Sequence, residues 1–243
     1  MKTKFLAIVF FALFLGACSK DDGSSQLERT TKLLAHVDSD FLNVDVDYND
    51  NHTVQKIAAE DLIINFQYRN GRISTLQIQY DGPNSIAYTY LFGYDGDGKI
   101  NQMTDSDMSV YEITYDETEN SYEYNLDEDE VVTVRLTADD EIAKFTRIRP
   151  NYEINSEYFY DEENKGPFEN TNAVAPHMLL AVPDPLIAFI VTSFTKKPLG
   201  RYEEGNNIFN FRNVYDEGGF LISRIYNDFG DDPTTDVFEY AEF

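Results

Sequence analysis

The chain has 243 residues, 19 Lys and Arg against 44 Asp and Glu, a formal net charge of −25 and a sequence pI near 4.2. So large an acidic excess excludes recognition of phosphate through basic patches, hence nucleic acid as a partner, and direct adhesion to anionic lipid. An aromatic share of 14%, 17 Tyr and 18 Phe with no Trp, excludes a disordered acidic chain, because such chains are poor in aromatics.

Lys2 and Lys4 precede an apolar run from Phe5 to Leu15. The run is too short to span a bilayer, which takes about 20 apolar residues. Residues 1–17 therefore read as a cleaved export signal. Leu15-Gly16-Ala17-Cys18 resembles the bacterial lipobox. That resemblance implies cleavage before Cys18, a diacylglycerol on its thiol, and anchorage at the outer membrane. Two or three acyl chains, at about 0.8 kcal/mol per buried CH₂, make a stable anchor. Cys18 is the only cysteine, so no disulfide forms within one chain. Residues 18–29, the lipidated Cys and a small polar segment, read as a flexible tether. Its Asp21-Asp22 pair close behind Cys18 resembles the surface-export signal of Bacteroidota lipoproteins and implies an outward-facing protein. A periplasm-facing lipoprotein is the alternative.

Residues 30–243 read as one domain of hairpins. A strand ends in an aromatic residue, Asp or Asn follows, a small or acidic turn comes next, and an apolar residue opens another strand. Tyr48-Asn49, Tyr68-Arg69-Asn70-Gly71, Tyr94-Asp95-Gly96-Asp97-Gly98, Tyr115-Asp116, Tyr160-Asp161 and Tyr215-Asp216-Glu217-Gly218-Gly219 are the copies. Asn-Gly, Asp-Gly and Gly-Gly supply the positive φ that tight hairpin turns require. Between turns, apolar residues alternate with polar ones: Leu62, Ile64, Phe66 and Tyr68; Tyr88, Tyr90 and Phe92; Tyr122, Tyr124 and Leu126; Val132, Val134 and Leu136. Period two with a polar opposite side predicts a half-buried antiparallel sheet.

The pattern breaks at Lys165-Gly166-Pro167-Phe168, and residues 174–194 form the most apolar stretch beyond the signal. Pro183 and Pro185 divide it into two short predicted helices, Pro176–Ala181 and Pro185–Phe194. Asp184 is placed as N-cap and Pro185 at the first helical position of the second. This insert is expected to cover the apolar face of the sheet. Strands resume at Asn207–Tyr215, Phe220–Asn227 and Thr235–Tyr240.

The recurring Tyr-Asp-x-x-Gly-x-Ile/Leu unit resembles the YD repeat of Rhs-type proteins. The lipobox, the Tyr-Asp hairpins, Pro167-Phe168, the insert and Tyr215–Leu221 together resemble a family of uncharacterised Bacteroidota outer-membrane or surface lipoproteins. The resemblance implies a mainly β fold: an elongated, curved antiparallel sheet of consecutive hairpins packed around a short helical insert. It brings no catalytic residues with it.

Candidate chemistry is sparse. Asp95 and Asp97 sit in half of a calcium-loop pattern, but position twelve of that frame is Ser106 where a bidentate Glu is needed. The segment reads as a hairpin turn, with Ca²⁺ only a weak alternative and no other cofactor expected. Asp127-Glu128-Asp129-Glu130, Asp139-Asp140-Glu141 and Asp161-Glu162-Glu163 read as solvated turns. His36, His52 and His177 show no metal-ligand spacing. There is no Gly-x-Ser-x-Gly elbow. Tyr152, Tyr158 and Tyr160 form a candidate exposed strip for a glycan or an envelope protein. The function expected from sequence is a surface-anchored, non-enzymatic binding or scaffold lipoprotein that touches the membrane only through its lipid. The alternatives are a purely structural envelope lipoprotein and a hydrolase with a carboxylate pair.

Overall fold

Period-two alternation builds the strands, and short turns bearing Asn, Asp and Gly fold each strand back on the one before it. The computed structural model describes residues 31–39, 43–80, 85–227 and 233–243. The signal segment, Cys18 and the tether lie outside the described residues. The described chain belongs to one unit, Thr31–Phe243.

Before the insert come β1 (Lys32–Ser39), β2 (Val44–Tyr48), β3 (Val54–Ala59), β4 (Leu62–Arg69), β5 (Arg72–Tyr80), β6 (Ile86–Tyr94) and β7 (Ile100–Thr104). They are followed by β8 (Val110–Glu112), β9 (Thr114–Asp116), β10 (Ser121–Asp127), β11 (Glu130–Leu136), β12 (Ile142–Arg149) and β13 (Tyr152–Tyr160). The insert holds α1 (Ala175–Ala181), α2 (Pro185–Ile190) and a 3₁₀ turn at Val191–Ser193. After it come β14 (Leu199–Glu204), β15 (Asn207–Asn210), β16 (Arg212–Tyr215), β17 (Leu221–Asn227) and β18 (Pro233–Glu242). Both predicted helices are present. The second gives way to the 3₁₀ turn after Ile190, and Asp184 caps it by accepting the Leu186 N–H at 2.8 Å.

All the pairings between these strands are antiparallel, and the fold is mainly β hairpins around a short helical insert. The hairpins divide into two sheets, of eleven strands in the order β16-β17-β18-β1-β2-β3-β4-β5-β6-β7-β8 and of seven in the order β15-β14-β13-β12-β11-β10-β9. The division falls at single buried residues. Ile113 separates β8 from β9, and its N–H donates to the Asn101 carbonyl of the β7 side at 3.0 Å. Phe211 separates β15 from β16, and its N–H donates to the Gly200 carbonyl of the β14 side at 3.0 Å. Each is the midpoint of one strand that leaves one sheet and enters the other. With β1 paired to β18, the pairing forms a closed circuit.

The insert lies within that circuit. Phe168, Val174, Met178, Leu179, Leu180, Val191 and Phe194 are buried against inward-facing Ile64, Leu76, Val132, Phe145 and Tyr202. Helices this short leave most of their C-terminal carbonyls without intrahelical partners. Strand side chains supply missing donors, Tyr124 Oη to Leu180 O at 2.7 Å and Tyr158 Oη to Ala188 O at 2.8 Å, and Arg147 donates to Pro183 O between the helices at 2.7 Å. Gly166 starts the insert where a Cβ would lie 2.4 Å from the Thr195 carbonyl oxygen, so no larger residue fits there.

Antiparallel alternation brings the Tyr-Asp turns together at one end of the circuit. The tyrosine ties its strand backward. Tyr48 Oη donates to Leu34 O at 2.9 Å, Tyr68 to Val54 O at 2.7 Å, Tyr94 to Ile73 O at 2.5 Å and Tyr160 to Ile142 O at 2.7 Å. In every case the carbonyl belongs to the strand just before. The acidic residue folds the turn forward. Asp95 Oδ1 accepts the N–H groups of Asp97 and Lys99 at 3.0 and 2.8 Å, and Asp216 Oδ1 those of Gly218 and Phe220 at 2.8 and 2.9 Å. A shift of strand register sits at Tyr48, Tyr68, Tyr94, Tyr160 and Tyr215, the bulge this turn type leaves behind. Tyr115 departs from the pattern, its hydroxyl going to the Asn120 side chain.

The same turn recurs at the opposite end, where Asp105 Oδ1 accepts from Asp107 and Ser109, each at 2.9 Å. Gly98 and Gly219 hold the left-handed position in the first two turns, but here Met108 holds it at φ 64°. Met108 is 75% exposed, so little side-chain packing offsets the strain. Met108→Gly is expected to stabilise the protein by about 0.5–1 kcal/mol. Urea unfolding checks this, and an unchanged or lower midpoint would contradict it.

Candidate functional site

The Tyr-Asp end carries a cleft of about 270 Å³ between the turns and the start of α1. Arg72 opens β5 and Lys99 precedes β7, each directly after a turn glycine, and both line it. Tyr94, Tyr122, Asn172 and His177 form much of the remaining wall, with Asp97 and Asp140 among the lining carboxylates. The Arg72 guanidinium sits 5.4 Å from the Tyr94 ring centroid, and Lys99 Nζ 4.2 Å from that of Tyr115. A Cβ at Gly98 would collide with the Arg72 guanidinium, and Gly98 also has φ +86°. This glycine therefore serves both the turn and the seat of the arginine.

Proton inventory orients His177. Tyr94 has one proton and places it on Ile73 O at 2.5 Å; His177 Nε2 lies 2.9 Å from the Tyr94 hydroxyl oxygen and therefore donates to it. Nδ1 is then a bare acceptor. It is buried and has no hydrogen-bond partner. The Phe92 ring stands edge-on at 5.0 Å. Burial pushes the imidazole pKa down to about 4, so it is neutral at neutral pH. Burial also pushes the Tyr94 phenol up. Asn172 fixes the wall: its side chain accepts the Val54 N–H at 3.1 Å and donates to Tyr68 Oη at 3.0 Å.

The residues singled out from sequence are placed as follows. Tyr152, Tyr158 and Tyr160 do not form an exposed strip. Tyr152 is 54% exposed, but Tyr158 is 5% exposed and its hydroxyl is committed to the insert. Tyr160 packs at the core margin with its hydroxyl on Ile142 O. The three share the inward face of β13, which alternation alone does not assign as inner or outer. Asp95 spends one oxygen on its own turn, as the hairpin reading expects, and Asp97 is exposed. Among the described residues no three His, Cys, Asp or Glu side chains gather into a metal site. His36 contacts Asp45 at 2.8 Å on the surface. Arg72, Lys99 and His177 were not foreseen as a group. A basic residue after the turn glycine in two successive repeats was the available signal.

The outward faces of β10 to β13 carry Glu123, Asn125, Arg135, Lys144, Thr146, Glu153 and Glu157. No helix among the described residues is long and apolar enough to cross a membrane. The fold and cleft thus define a hairpin circuit filled by its own insert, with a charged outer face on β10 to β13.

No protein-family model matches the chain, and no curated protein matches it. Among solved structures, it is similar to a porin-like protein from Bacteroides uniformis, with TM-score 0.44 and 10% identity over 86% of this chain and 96% of that one. It is similar to a porin-like protein from Bacteroides vulgatus, with TM-score 0.41 and 10% identity over 87% and 99%. Similarity to the Photorhabdus luminescens Tc holotoxin pore has TM-score 0.31 and 12% identity over 76% of this chain and 9% of that one. At these values the likenesses carry no argument about activity, which is drawn instead from the chain's own residues.

Proposed function

We propose that this chain is a lipid-anchored protein of the outer membrane, held through Cys18 and facing outward, that serves as a non-enzymatic binding or scaffold module. Its ligand is a glycan or an envelope protein, met at the Tyr-Asp end. The filled circuit carries this reading. The insert occupies the space between the sheets, and its backbone is bonded to both of them, through Tyr124 and Tyr158 on one side and Arg224 on the other. Such a body suits the rigid presentation of its turns and cleft. The charged outward faces of β10 to β13 support the same reading, because a lipid-facing strand presents apolar side chains and each Arg or Lys there costs about 2–4 kcal/mol at the midplane, each Asp or Glu less.

Fractionation of the native envelope tests the anchor. The wild-type chain is expected in the membrane fraction, released by detergent and not by high salt. Cys18→Ala is expected to lose the acyl chains and leave the membrane fraction. Retention of the variant in salt-washed membranes would overturn anchorage. Accessibility of the anchored protein to protease on intact cells decides its facing.

A further inference from the structure

The cleft combines charge and polarity in a way that selects a ligand. Among the described residues neither Arg72 nor Lys99 has a carboxylate within ion-pair distance, whereas Lys32, Arg135, Lys144 and Arg201 do. In a chain of net charge −25, the cleft brings together two cations, each set against an aromatic face. The Arg72 guanidinium lies beside the Gly98 backbone and 5.4 Å from the Tyr94 ring centroid, with its fork open to a planar anion. Asp97 and Asp140 line the same cleft. They repel a second negative charge and accept hydrogen bonds from hydroxyl groups. Tyr94 and Tyr122 offer apolar faces with polar edges.

We propose that the cleft binds a small polyhydroxylated carboxylate, of which a uronic acid is the chemical type, with Arg72 and Lys99 on the carboxylate and Asp97 and Asp140 on the hydroxyls. This rests on the binding-module reading and names its ligand class. The cleft volume of about 270 Å³ suits one sugar ring better than a long chain.

Calorimetric titration of the full-length protein in detergent tests it, with D-glucuronate, its methyl ester, acetate and inorganic phosphate as probes. Glucuronate is expected to bind saturably, and the ester and acetate at least tenfold more weakly, because each lacks half of the recognition. Arg72→Gln and Lys99→Gln are each expected to lose tenfold or more; both side chains lie in the turn region, and an unchanged circular dichroism spectrum confirms folding. Equal binding of acid and ester, an unaffected Arg72→Gln, or phosphate binding as tightly as glucuronate would overturn the proposal. Silence of every probe at 50-fold above the protein concentration and up to tens of millimolar would overturn it too, while the anchored-module reading is decided separately by the Cys18→Ala fractionation. Tighter binding of a glucuronate-terminated oligosaccharide assigns the cleft to a chain end, and equal binding assigns it to the free acid; both support the proposal.

Discussion

Asp236→Ala is expected to destabilise the protein by about 3–5 kcal/mol, the cost of leaving a buried charge without its partner. Asp236 and Arg224 stand directly opposite each other on β18 and β17, and both side chains are 3% exposed. Arg224 Nε donates to Asp236 Oδ2. The two remaining guanidinium nitrogens donate to Thr192 O at 3.0 Å and Ser193 Oγ at 2.8 Å. The rings of Phe211, Tyr226 and Phe238 lie 4.8, 5.5 and 5.6 Å from the guanidinium carbon. With the carboxylate gone, the enclosed guanidinium has neither a counter-charge nor a short route to water. Since a domain has only about 5–15 kcal/mol of stability in total, the loss is a large share of it.

The comparison that identifies the cause is the double variant Arg224→Met with Asp236→Leu. It removes both charges and keeps most of the volume, so it is expected to cost clearly less than Asp236→Ala alone. It still leaves Thr192 O without its donor, which sets a residual cost of about 1–3 kcal/mol. Chemical unfolding of the three proteins reads this directly. A loss below about 1 kcal/mol for Asp236→Ala would show that the pair is not a buried ion pair in solution. The location explains why the pair matters to the fold. It ties the 3₁₀ turn ending the insert to strands of the eleven-stranded sheet, while Tyr124 and Tyr158 tie the helices to the seven-stranded one.

The sequence pattern reaches some of this and stops for physical reasons. Tyr48, Tyr68, Tyr94 and Tyr160 were legible as strand ends because a turn needs Asn, Asp or Gly at fixed offsets, and the chemistry is local. The insert was legible because Pro183 and Pro185 punctuate an apolar run. Closure of the circuit was not, because Ile113 and Phe211 are apolar residues in the middle of alternating strands and nothing local marks them as changing sheets. Nothing local marks Arg224 as a buried cation; the turn packed beneath it supplies the acceptors that let it sit inside. Tyr158 failed as a surface residue for the same reason, since alternation gives two faces without saying which is inside. The cleft draws on residues from Tyr68 to His177, and their meeting depends on the insert returning to the Tyr-Asp end.

The second large effect is a stability that depends on pH through Glu141. Glu141 is 4% exposed at the turn between β11 and β12, and its Oε1 accepts the Lys196 N–H at 3.0 Å, which fastens the chain leaving the insert. Burial pushes its carboxyl pKa up to about 7, with Asp139 and Asp140 adding to the rise and the Lys196 N–H opposing it. Between the unfolded value near 4.5 and about 7, the folded state binds more protons than the unfolded one. Stability from this group is therefore fully present below about pH 4.5 and is lost as pH rises through 7. Ionisation in place costs roughly 3 kcal/mol above that range, at 1.36 kcal/mol per unit. Glu141→Gln keeps an acceptor for Lys196 and cannot ionise. It is expected to match the wild type at pH 4 and to exceed it by about 2–3 kcal/mol at pH 8.5, a rise in Tm of roughly 5–10 °C for a chain of this size. His177 runs the other way: its depressed pKa gives stability that is present above about 6.5 and lost as pH falls through about 4. Both proteins contain His177, so its contribution cancels when their melting curves are subtracted at each pH. A difference between variant and wild type that stays constant from pH 4 to pH 8.5 would show that Glu141 does not titrate in its buried site, and the slope of that difference between pH 5 and 7 is the quantity to measure.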